Sequence, residues 1–281
     1  MTSHLVALPA VERLSSRCIR ILGGNPGKFT LQGTNTYLVG TGRHRILIDT
    51  GEGRPAWAAS LKATLEQEDA TIASALISHW HPDHVGGIQD LLRITPEANI
   101  YKYNPDVGQS AITDGQIFHT EGATLTAAHT PGHTTDHMAF VLAEEDAMFT
   151  ADNVLGQGTA VYEDLATYLA SLEKMRHLFK GRAYPGHGPV LEDGTGKIVE
   201  YIEHRRQREE QVLKMLRPIQ GGGAVAWTVP GLVKVIYSDV PEELHAAAGR
   251  GIAQILEKLA GEGKVVREST DTWRLGPSSS L

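Results

Sequence analysis

The chain has 281 residues, of which 41% are hydrophobic and 21% are charged, a composition typical of a globular protein that buries a large core. It excludes a fibrous, a disordered or a disulfide-scaffolded protein. With 26 basic and 33 acidic side chains the net charge is −7, which excludes a protein that coats nucleic acid but leaves room for a local basic site.

Cysteine content and apolar runs set further limits. Cys18 is the single cysteine, so an internal disulfide and a thiolate zinc site are excluded, and any metal site must use histidine and carboxylate ligands. There is no run of about 18 apolar residues and no signal-like start, so we expect no membrane segment and a cytoplasmic location. Residues 279–281 loosely match a peroxisomal targeting tripeptide, which leaves a peroxisomal location as the alternative.

The first two thirds of the chain predict a mixed α/β structure. Short β-branched runs bounded by Gly, Pro or acidic turns predict strands at 46–48, 72–77, 124–128 and 138–142. Apolar residues then recur at spacings of three and four across residues 165–179, which predicts an amphipathic helix with one buried face.

The pattern after residue 195 is helical. A long helical segment, a glycine linker at 221–223, two further helices and a hairpin over residues 264–275 resemble a winged helix. Residues 200–281 hold 11 basic and 11 acidic side chains, so we expect this part to serve packing and not to bind DNA. The predicted domains are a catalytic domain of residues 1–194 and a small helical, winged-helix-like domain of residues 195–281.

A cluster of imidazoles and a carboxylate follows one of the predicted strands. His79, His81, Asp83 and His84 stand within six residues, and such groups are rarely buried without partners. His79 and His81 lie two apart on an extended segment and can share one ion. Pro82 then turns the chain and directs Asp83 and His84 to a second position. The cluster therefore predicts a metal site.

Three more residues complete a set for two metal ions. His133 and His187 each follow a Pro-Gly turn, and Asp152 ends a strand. The expected arrangement is one ion on His79, His81 and His133, the other on Asp83, His84 and His187, and Asp152 as a bridge. These ligands suit Zn²⁺, with Mn²⁺ or Fe as substitutes, and two such ions about 3.5–4 Å apart activate water. We assign a catalytic role to Asp83 and Asp152.

Together these motifs resemble the five motifs of the metallo-β-lactamase superfamily. In chain order they are Asp49 in an Ile-Asp-Thr-Gly segment, the 79–84 cluster, His133, Asp152 and His187. The resemblance spans about residues 20–190. It implies the αβ/βα sandwich of that family, a dinuclear zinc site at one edge of the sandwich, and hydrolysis as the reaction. Ala151 departs from the family where a Gly is frequent, and this departure affects no ligand.

Longer segments resemble a narrower group over nearly the whole chain, the β-lactamase-like protein 2 group. The segments are residues 25–37, 121–125, 136–138, 158–165 and 184–189. The group has two branches: a mitochondrial single-strand endoribonuclease, and fungal thioesterases that act beside polyketide synthases, such as the atrochrysone carboxyl carrier-protein thioesterases. Residues 161–176 and 201–211 are closer to the fungal branch. This resemblance implies secondary metabolism and an acyl carrier domain of a polyketide synthase as partner.

Two residues are candidates for supporting the ligands. Asp49 is expected to contact a metal-bound imidazole and fix its tautomer, or to cap the turn that follows it, and the two roles are compatible. His137 stands four residues after His133, where family members often have a histidine that supports the site. Anchoring the following strand by one hydrogen bond is the alternative for His137.

Substrate contacts are predicted on two loops. Phe29 and Leu31 belong to one loop, Tyr162 and Leu165 belong to the segment after Asp152, and these four side chains are expected to line an apolar cleft for an aromatic polyketide. The basic run at 204–208 suits an acidic carrier protein, a pantetheine phosphate or RNA, and a solvated helix face is the alternative.

Three classes of function are compatible with the motifs: an acyl-carrier thioesterase, a single-strand endoribonuclease and a non-catalytic binding module. The complete ligand set disfavours the third. The second requires single-stranded RNA as substrate, yet the catalytic part carries the whole net charge of −7 and repels RNA at long range. We therefore expect a zinc-dependent hydrolase that releases a polyketide from its acyl carrier protein, with the endoribonuclease as the alternative.

Overall fold

The computed structural model describes residues 5–218, 225–239, 241–242 and 245–276. The glycine linker expected at 221–223 and the tripeptide at 279–281 lie outside the described residues. None of the helices within these ranges is long and apolar enough to cross a bilayer.

The molecule divides into two compact units. The first contains the residues up to Glu163 together with Thr167–Val199, and the second contains Asp164–Ala166 and the residues from Glu200 onward. The boundary expected between a catalytic domain of residues 1–194 and a C-terminal domain of residues 195–281 stays a prediction.

A seven-stranded sheet forms one layer of the first unit. Its strands lie in space in chain order: β1 (Val11–Arg13), β2 (Cys18–Leu22), β3 (Asn35–Val39), β4 (His44–Ile48), β5 (Thr71–Leu76), β6 (Asn99–Lys102) and β7 (Ser110–Ala111). Neighbours are antiparallel from β1 to β4 and parallel from β4 to β7. Because parallel neighbours need a crossover, helix α1 (Pro55–Gln67) joins β4 to β5, and helices α2 (Pro82–Val85) and α3 (Ile88–Ile94) join β5 to β6.

A five-stranded sheet forms the second layer. Its spatial order is β12–β11–β10–β9–β8, with β8 (Ile117–Thr120), β9 (Ala123–His129), β10 (Met138–Leu142), β11 (Ala147–Ala151) and β12 (Ala183–Pro185). The pair β11–β12 is parallel and the other pairs are antiparallel. A short 3-10 turn at Ala143–Glu145 separates β10 from β11, and helix α4 (Leu165–Met175) lies in the crossover from β11 to β12.

The core follows the two-residue period of the strands. In β4, Ile46 and Ile48 join a cluster that also contains Phe140 and Phe149 of the second sheet, so this cluster fills the space between the sheets. Leu47 points to the opposite face and joins a second cluster with residues of α1 and α3. Helices α1 and α3, the seven-stranded sheet and the five-stranded sheet therefore form successive layers of the first unit, and the predicted mixed α/β structure is confirmed.

Helix α4 has the buried stripe that its spacing predicts. Leu165, Tyr168, Leu172 and Met175 are all almost fully buried. The helix that follows β12 is α5 (Gly194–Leu216), whose first residues belong to the first unit and whose remainder belongs to the second.

The second unit has the element order of a winged helix. A three-stranded sheet of order β13–β15–β14 contains β13 (Trp227–Thr228), β14 (Val265–Arg267) and β15 (Thr272–Leu275), and between β13 and β14 stand helices α6 (Val229–Ile236) and α7 (His245–Gly261). Thr228 begins α6 by accepting a hydrogen bond from the Gly231 amide at 3.1 Å. The predicted hairpin near the C-terminus is β14–β15.

Candidate metal centre

Five strand ends carry the predicted ligands and their neighbours to one edge of the two sheets. Parallel strands end at the same edge, so β4 and β5 bring Asp49 close to the 78–84 segment. For the same reason β11 and β12 bring Asp152 close to His187. The turn between β9 and β10 adds His133. The topology therefore assembles residues that are more than 100 positions apart in the chain.

The first cluster contains His79, His81, His133 and Asp152, whose donor atoms all lie within 4.8 Å of one another. His81 Nδ1 is 3.0 Å from His79 Nε2 and 3.1 Å from His133 Nε2. Asp152 Oδ2 lies 3.6 Å from His133 Nε2. Four donor atoms thus converge on one point.

The second cluster contains Asp83, His84 and His187, with the same 4.8 Å limit on the distances between donor atoms. Asp83 Oδ2 lies 3.4 Å from His84 Nε2 and 3.3 Å from His187 Nε2. Asp152 also reaches this cluster, since its carboxylate lies 3.4 Å from His84 Nε2 and 3.2 Å from His187 Nε2. The Asp152 carboxylate therefore lies close to the ligand atoms of both clusters.

These donor sets fit zinc. Two ligand atoms of a tetrahedral zinc site with bonds of about 2.05 Å lie about 3.3 Å apart, and the distances above fall close to that value. His84 Nε2 and Asp152 Oδ1 are buried and make no hydrogen bond within the described part of the chain. Buried polar atoms without a partner are costly, so a cation between them would satisfy both.

Hydrogen bonds on the far side of three imidazoles orient the nitrogen that faces the cluster. His79 Nδ1 lies 2.9 Å from Ser78 Oγ, His84 Nδ1 lies 2.7 Å from Asp49 Oδ2, and His133 Nδ1 donates to the Val161 carbonyl at 2.7 Å. An imidazole that donates through Nδ1 keeps a lone pair on Nε2, which is the atom that faces the cluster.

Asp49 has the contacts expected of a residue that supports the ligands. Its buried carboxylate accepts hydrogen bonds from the Ser78 amide at 2.7 Å and the Ser78 hydroxyl at 2.8 Å, in addition to His84 Nδ1. Because Ser78 also contacts His79, Asp49 organises one imidazole of each cluster. The backbone of Asp49 is left-handed, with φ of 58°. Ala151 has φ of 42°, a backbone conformation that glycine adopts more readily than alanine.

His137 has contacts both with the turn before β10 and with the first cluster. It is fully buried, its Nδ1 lies 2.9 Å from Thr130 Oγ1, and its carbonyl accepts a hydrogen bond from the Thr130 amide. Its ring also lies 5.4 Å from the ring of His79 and 5.9 Å from that of His133. His137 therefore anchors the turn before β10 and packs against two imidazoles of the first cluster.

The two clusters differ in their affinity for protons. Burial and the neighbouring His84 hold the pKa of His79 well below its usual value. Burial also lowers the pKa of His187, but Asp152 and Asp83 outweigh it and raise that pKa to about 9. Burial also lowers the pKa of His84, but Asp152 and Asp49 outweigh it and raise that pKa well above its usual value. A metal ion at the second cluster must therefore displace protons, whereas in the first cluster His79 and His81, whose pKa values are both lowered by burial, present neutral imidazoles.

A cleft with a volume of about 440 Å³ opens over both clusters. Phe29 and Leu31 line one wall, and Tyr162 lines the other together with Leu155 and Val161. The ring of Tyr162 stacks on that of Tyr168 at 5.1 Å, which places it on the buried stripe of α4. Phe29 is 71% exposed and stands at the lip.

Leu165 differs from the other three predicted pocket residues. It is 1% exposed and is not among the described residues that line the cleft. The helical spacing of α4 explains this placement, because Leu165 is the first member of the buried stripe.

The basic run of α5 does not present its three arginines equally. Arg208 stacks on Tyr237 at 4.6 Å and donates to Gln211, and Arg205 is half-buried. Arg206 is exposed. Since consecutive helical residues point about 100° apart, Arg206 points away from the face that Arg205 and Arg208, three residues apart, share.

Comparison with protein families decides the classification. Residues 29–107 and 100–187 match the metallo-beta-lactamase superfamily, and residues 228–273 match the beta-lactamase associated winged helix domain. The chain belongs to the metallo-beta-lactamase superfamily, whose members are hydrolases. The predicted sandwich with a C-terminal winged-helix-like domain is therefore confirmed, and both clusters lie within the part of the chain that matches the superfamily.

Relatives of this superfamily member include fungal proteins that it matches over most of their length. It is 48% identical to the lactamase-like protein adaB of Aspergillus niger, over 97% of this chain and 89% of the relative. It is 46% identical to an atrochrysone carboxyl ACP thioesterase of Claviceps purpurea, over 95% of this chain and 87% of the relative, and 48% identical to one of Aspergillus chevalieri, over 95% and 88%. The predicted likeness to the fungal branch is confirmed.

Solved structures show the same fold at low identity. A beta-lactamase domain protein from Burkholderia ambifaria superposes with a TM-score of 0.78 and 15% identity, over 96% of this chain and 95% of that protein. A metallo-beta-lactamase family protein from Thermus thermophilus gives 0.71 and 20%, over 94% and 100%.

The sequence does not reveal every contact of the site. Ser78 is visible only as the residue before His79, and Thr34, whose hydroxyl donates to Asp83 at 2.9 Å, is 49 positions away from its partner. The Val161 carbonyl is a backbone group and leaves no mark in the residue pattern.

Proposed function

We propose that this protein is a zinc-dependent thioesterase that hydrolyses the thioester between a polyketide acyl group and its acyl carrier protein. The observation that carries the proposal is the pair of converging His/Asp clusters at the floor of an apolar cleft. Relatives at 46–48% identity that bear the name atrochrysone carboxyl ACP thioesterase support the choice of substrate class. The partner would be the acyl carrier domain of a polyketide synthase.

One zinc ion would be held by His79, His81 and His133, and a second by Asp83, His84 and His187, with Asp152 between them; Mn²⁺ or Fe are the substitutes. When bound, the two ions supply an activated water and stabilise negative charge on the substrate carbonyl oxygen. Residues 1–194 would carry this chemistry, and residues 195–281 would serve packing.

The protein contributes positioning and shape. Phe29, Leu31 and Tyr162 offer apolar surface for the acyl group and exclude bulk water from the floor of the cleft. Asp83 and Asp152 also line the cleft. Burial opposes their ionisation, but neighbouring imidazoles hold the pKa of each well below the usual aspartate range. Both therefore stay ionised and can accept a hydrogen bond that orients the attacking water.

Hydrolysis of a thioester suits such a site. The water oxygen forms a bond to the carbonyl carbon, the carbon–sulfur bond breaks, and the proton lost by water ends on the departing thiol. A thiol has a pKa near 8.5, so its thiolate leaves with little assistance. An amide or an RNA phosphodiester has a poorer leaving group and needs a proton donor at that position.

The competing substrate is single-stranded RNA. Apart from the predicted ligands, the described lining of the cleft carries one lysine, Lys28, and one carboxylate, Glu163, and its other residues are uncharged. A groove that follows a phosphate backbone needs basic side chains along its length. The lining therefore favours the acyl substrate.

The test uses one zinc-loaded sample for two assays, hydrolysis of an aromatic acyl-carrier thioester and cleavage of single-stranded RNA. Asp152→Ala should abolish thioester hydrolysis, because it removes the carboxylate common to both clusters, and should lower the zinc content. Asp239→Ala removes an exposed carboxylate of the second unit and is the matched control. RNA cleavage that is lost in Asp152→Ala, without hydrolysis of any acyl carrier, would replace the thioesterase by the endoribonuclease.

A further inference from the structure

The loop between β2 and β3 is closed at its base by the buried pair Asn25 and Thr34, next to a backbone hydrogen bond from the Gly23 amide to the Thr34 carbonyl at 2.7 Å. Asn25 Oδ1 accepts a hydrogen bond from the Thr34 amide at 2.9 Å, and Asn25 Nδ2 donates to the Thr34 hydroxyl at 3.0 Å. Both side chains are buried. The loop that they close carries Phe29 and Leu31 to the cleft. The Asn25–Thr34 pair therefore holds the base of the loop that forms this wall of the cleft.

Thr34 also contacts the second cluster directly. Its hydroxyl donates to Asp83 Oδ2 at 2.9 Å, and this is the same oxygen that faces His84 and His187. The hydroxyl accepts one hydrogen bond from Asn25 and donates its only proton to Asp83. A fully buried hydroxyl with both partners in place holds one orientation, so the Asp83 carboxylate is held with it.

The backbone of the same residue contacts another predicted ligand. Thr34 and His187 form an isolated antiparallel bridge. The next residue extends this contact, since the Asn35 amide donates to the Gly186 carbonyl at 2.7 Å and its side chain donates to the carbonyls of Pro185 and Gly188, each at 2.9 Å. The segment at residues 34–35 thus contacts both Asp83 and the turn that carries His187.

We propose that Thr34, held by Asn25, is a positioning residue for the second metal position, and that it couples the substrate loop to that position. The inference rests on the proposed metal-dependent function. Thr34 does not touch the reacting atoms; it acts through the Asp83 carboxylate and the His187 turn. No hydrogen bond from Thr34 to His79, His81 or His133 is found among the described residues, so the effect is confined to one of the two ions.

Thr34→Val tests the proposal, because valine keeps the shape of threonine and removes the hydroxyl. We expect one of the two zinc ions to bind about 10- to 100-fold more weakly, as is usual when the group that orients a ligand is removed. The other ion should bind with unchanged affinity. Thr34→Ser keeps the hydroxyl and should restore binding of the second ion. Thr34→Ala removes the hydroxyl without a branched side chain and should reproduce the loss if the valine variant is insoluble.

Thr36→Val is the matched control. Thr36 lies two residues after Thr34 and is fully buried. Its hydroxyl accepts a hydrogen bond from Trp57 Nε1 at 2.9 Å and donates to the Ile21 carbonyl at 2.8 Å. It therefore loses the same number of hydrogen bonds as Thr34→Val, without contact to a predicted ligand. We expect it to lower the melting temperature and to leave both zinc affinities unchanged.

The measurement is the zinc content of each variant across a series of chelator-buffered zinc concentrations, followed by kcat and KM on an acyl-carrier thioester. Activity of Thr34→Val should rise toward that of the wild type as free zinc increases, because occupancy is what the variant lacks. Unchanged affinity for both ions in Thr34→Val, or an equal loss in Thr36→Val, would overturn the positioning role and leave the proposed function standing. A wild-type protein that binds no zinc would overturn the proposed function, and this inference with it.

Discussion

Replacing Asp49 by Asn tests how far the support of the imidazoles determines metal binding. Asp49 is 2% exposed, and its two oxygens accept three hydrogen bonds, from the Ser78 amide, the Ser78 hydroxyl and His84 Nδ1. Asparagine has nearly the same shape and tolerates a left-handed backbone, so the φ of 58° adds little strain. The substitution therefore changes the hydrogen bonds and the charge, and little else.

In the Asp49→Asn variant, the side-chain amide nitrogen takes the place of either Oδ2 or Oδ1 of the aspartate. If its nitrogen takes the place of Oδ2, His84 must accept through Nδ1 and moves its proton to Nε2, the atom that would bind metal. If the nitrogen takes the place of Oδ1, the buried Ser78 amide loses its acceptor, at a cost of about 1–3 kcal/mol of unfolding free energy. In the first case zinc binding at the second cluster should weaken by about 10- to 100-fold, or about 1.4–2.8 kcal/mol.

Chelator competition gives the zinc affinity, and urea unfolding of the metal-free protein gives the stability. Asp146→Asn is the control, because Asp146 is also left-handed, with φ of 47°, and accepts a hydrogen bond from the Lys180 amide, but it is exposed and belongs to the turn before β11. It should change neither zinc affinity. An Asp49→Asn protein with two tightly bound zinc ions, unchanged stability and full activity would refute the role assigned to Asp49.

Two further predictions concern the cleft and the pH. Phe29→Ala should raise KM for an aromatic acyl carrier roughly fivefold with little change in kcat, since about 1 kcal/mol of apolar contact is lost. Val107→Ala is the control, because Val107 is fully exposed and outside the cleft lining, and it should not change KM. In the metal-free protein the pKa of His187 is raised from 6.5 to about 9, so protonation of His187 stabilises the folded state. This stabilisation is complete below pH 6.5 and is lost as the pH rises through 9. The unfolding free energy should therefore fall by about 3 kcal/mol between pH 6.5 and pH 9. Zinc loading should remove this pH dependence. A metal-free protein whose stability does not change over that pH range would contradict the raised pKa of His187.

The grouping of the predicted ligands could be foreseen from the sequence, because metal chemistry constrains residue type and local spacing together. Three imidazoles and a carboxylate within six residues have few other uses, and His133 and His187 stand on turns whose Pro-Gly pairs are visible in the sequence. The strands were predictable for a similar reason, since β4, β5, β9 and β10 are short apolar runs between clear turn signals. In both cases the information is local in the chain.

The pocket was predicted less well, because two local rules competed there. Leu165 follows a loop that reaches the cleft, which favours a pocket residue, but it also begins the three-and-four spacing of α4, which favours burial. The structure follows the helical spacing, and Leu165 is buried. The same geometry separates Arg206 from Arg205 and Arg208, so a run of basic residues in the sequence is not a basic surface on the helix.

The contacts that could not be predicted are those that join distant segments through hydrogen bonds. Thr34 meets Asp83 across 49 positions, and His133 meets the Val161 carbonyl across 28. Both contacts connect a wall of the cleft to a predicted ligand, one for each cluster. An acyl group that displaces either wall would therefore change the geometry of a ligand as well as the shape of the cleft. Substrate binding and metal binding should for this reason be energetically coupled, and any such coupling must be equal in both directions.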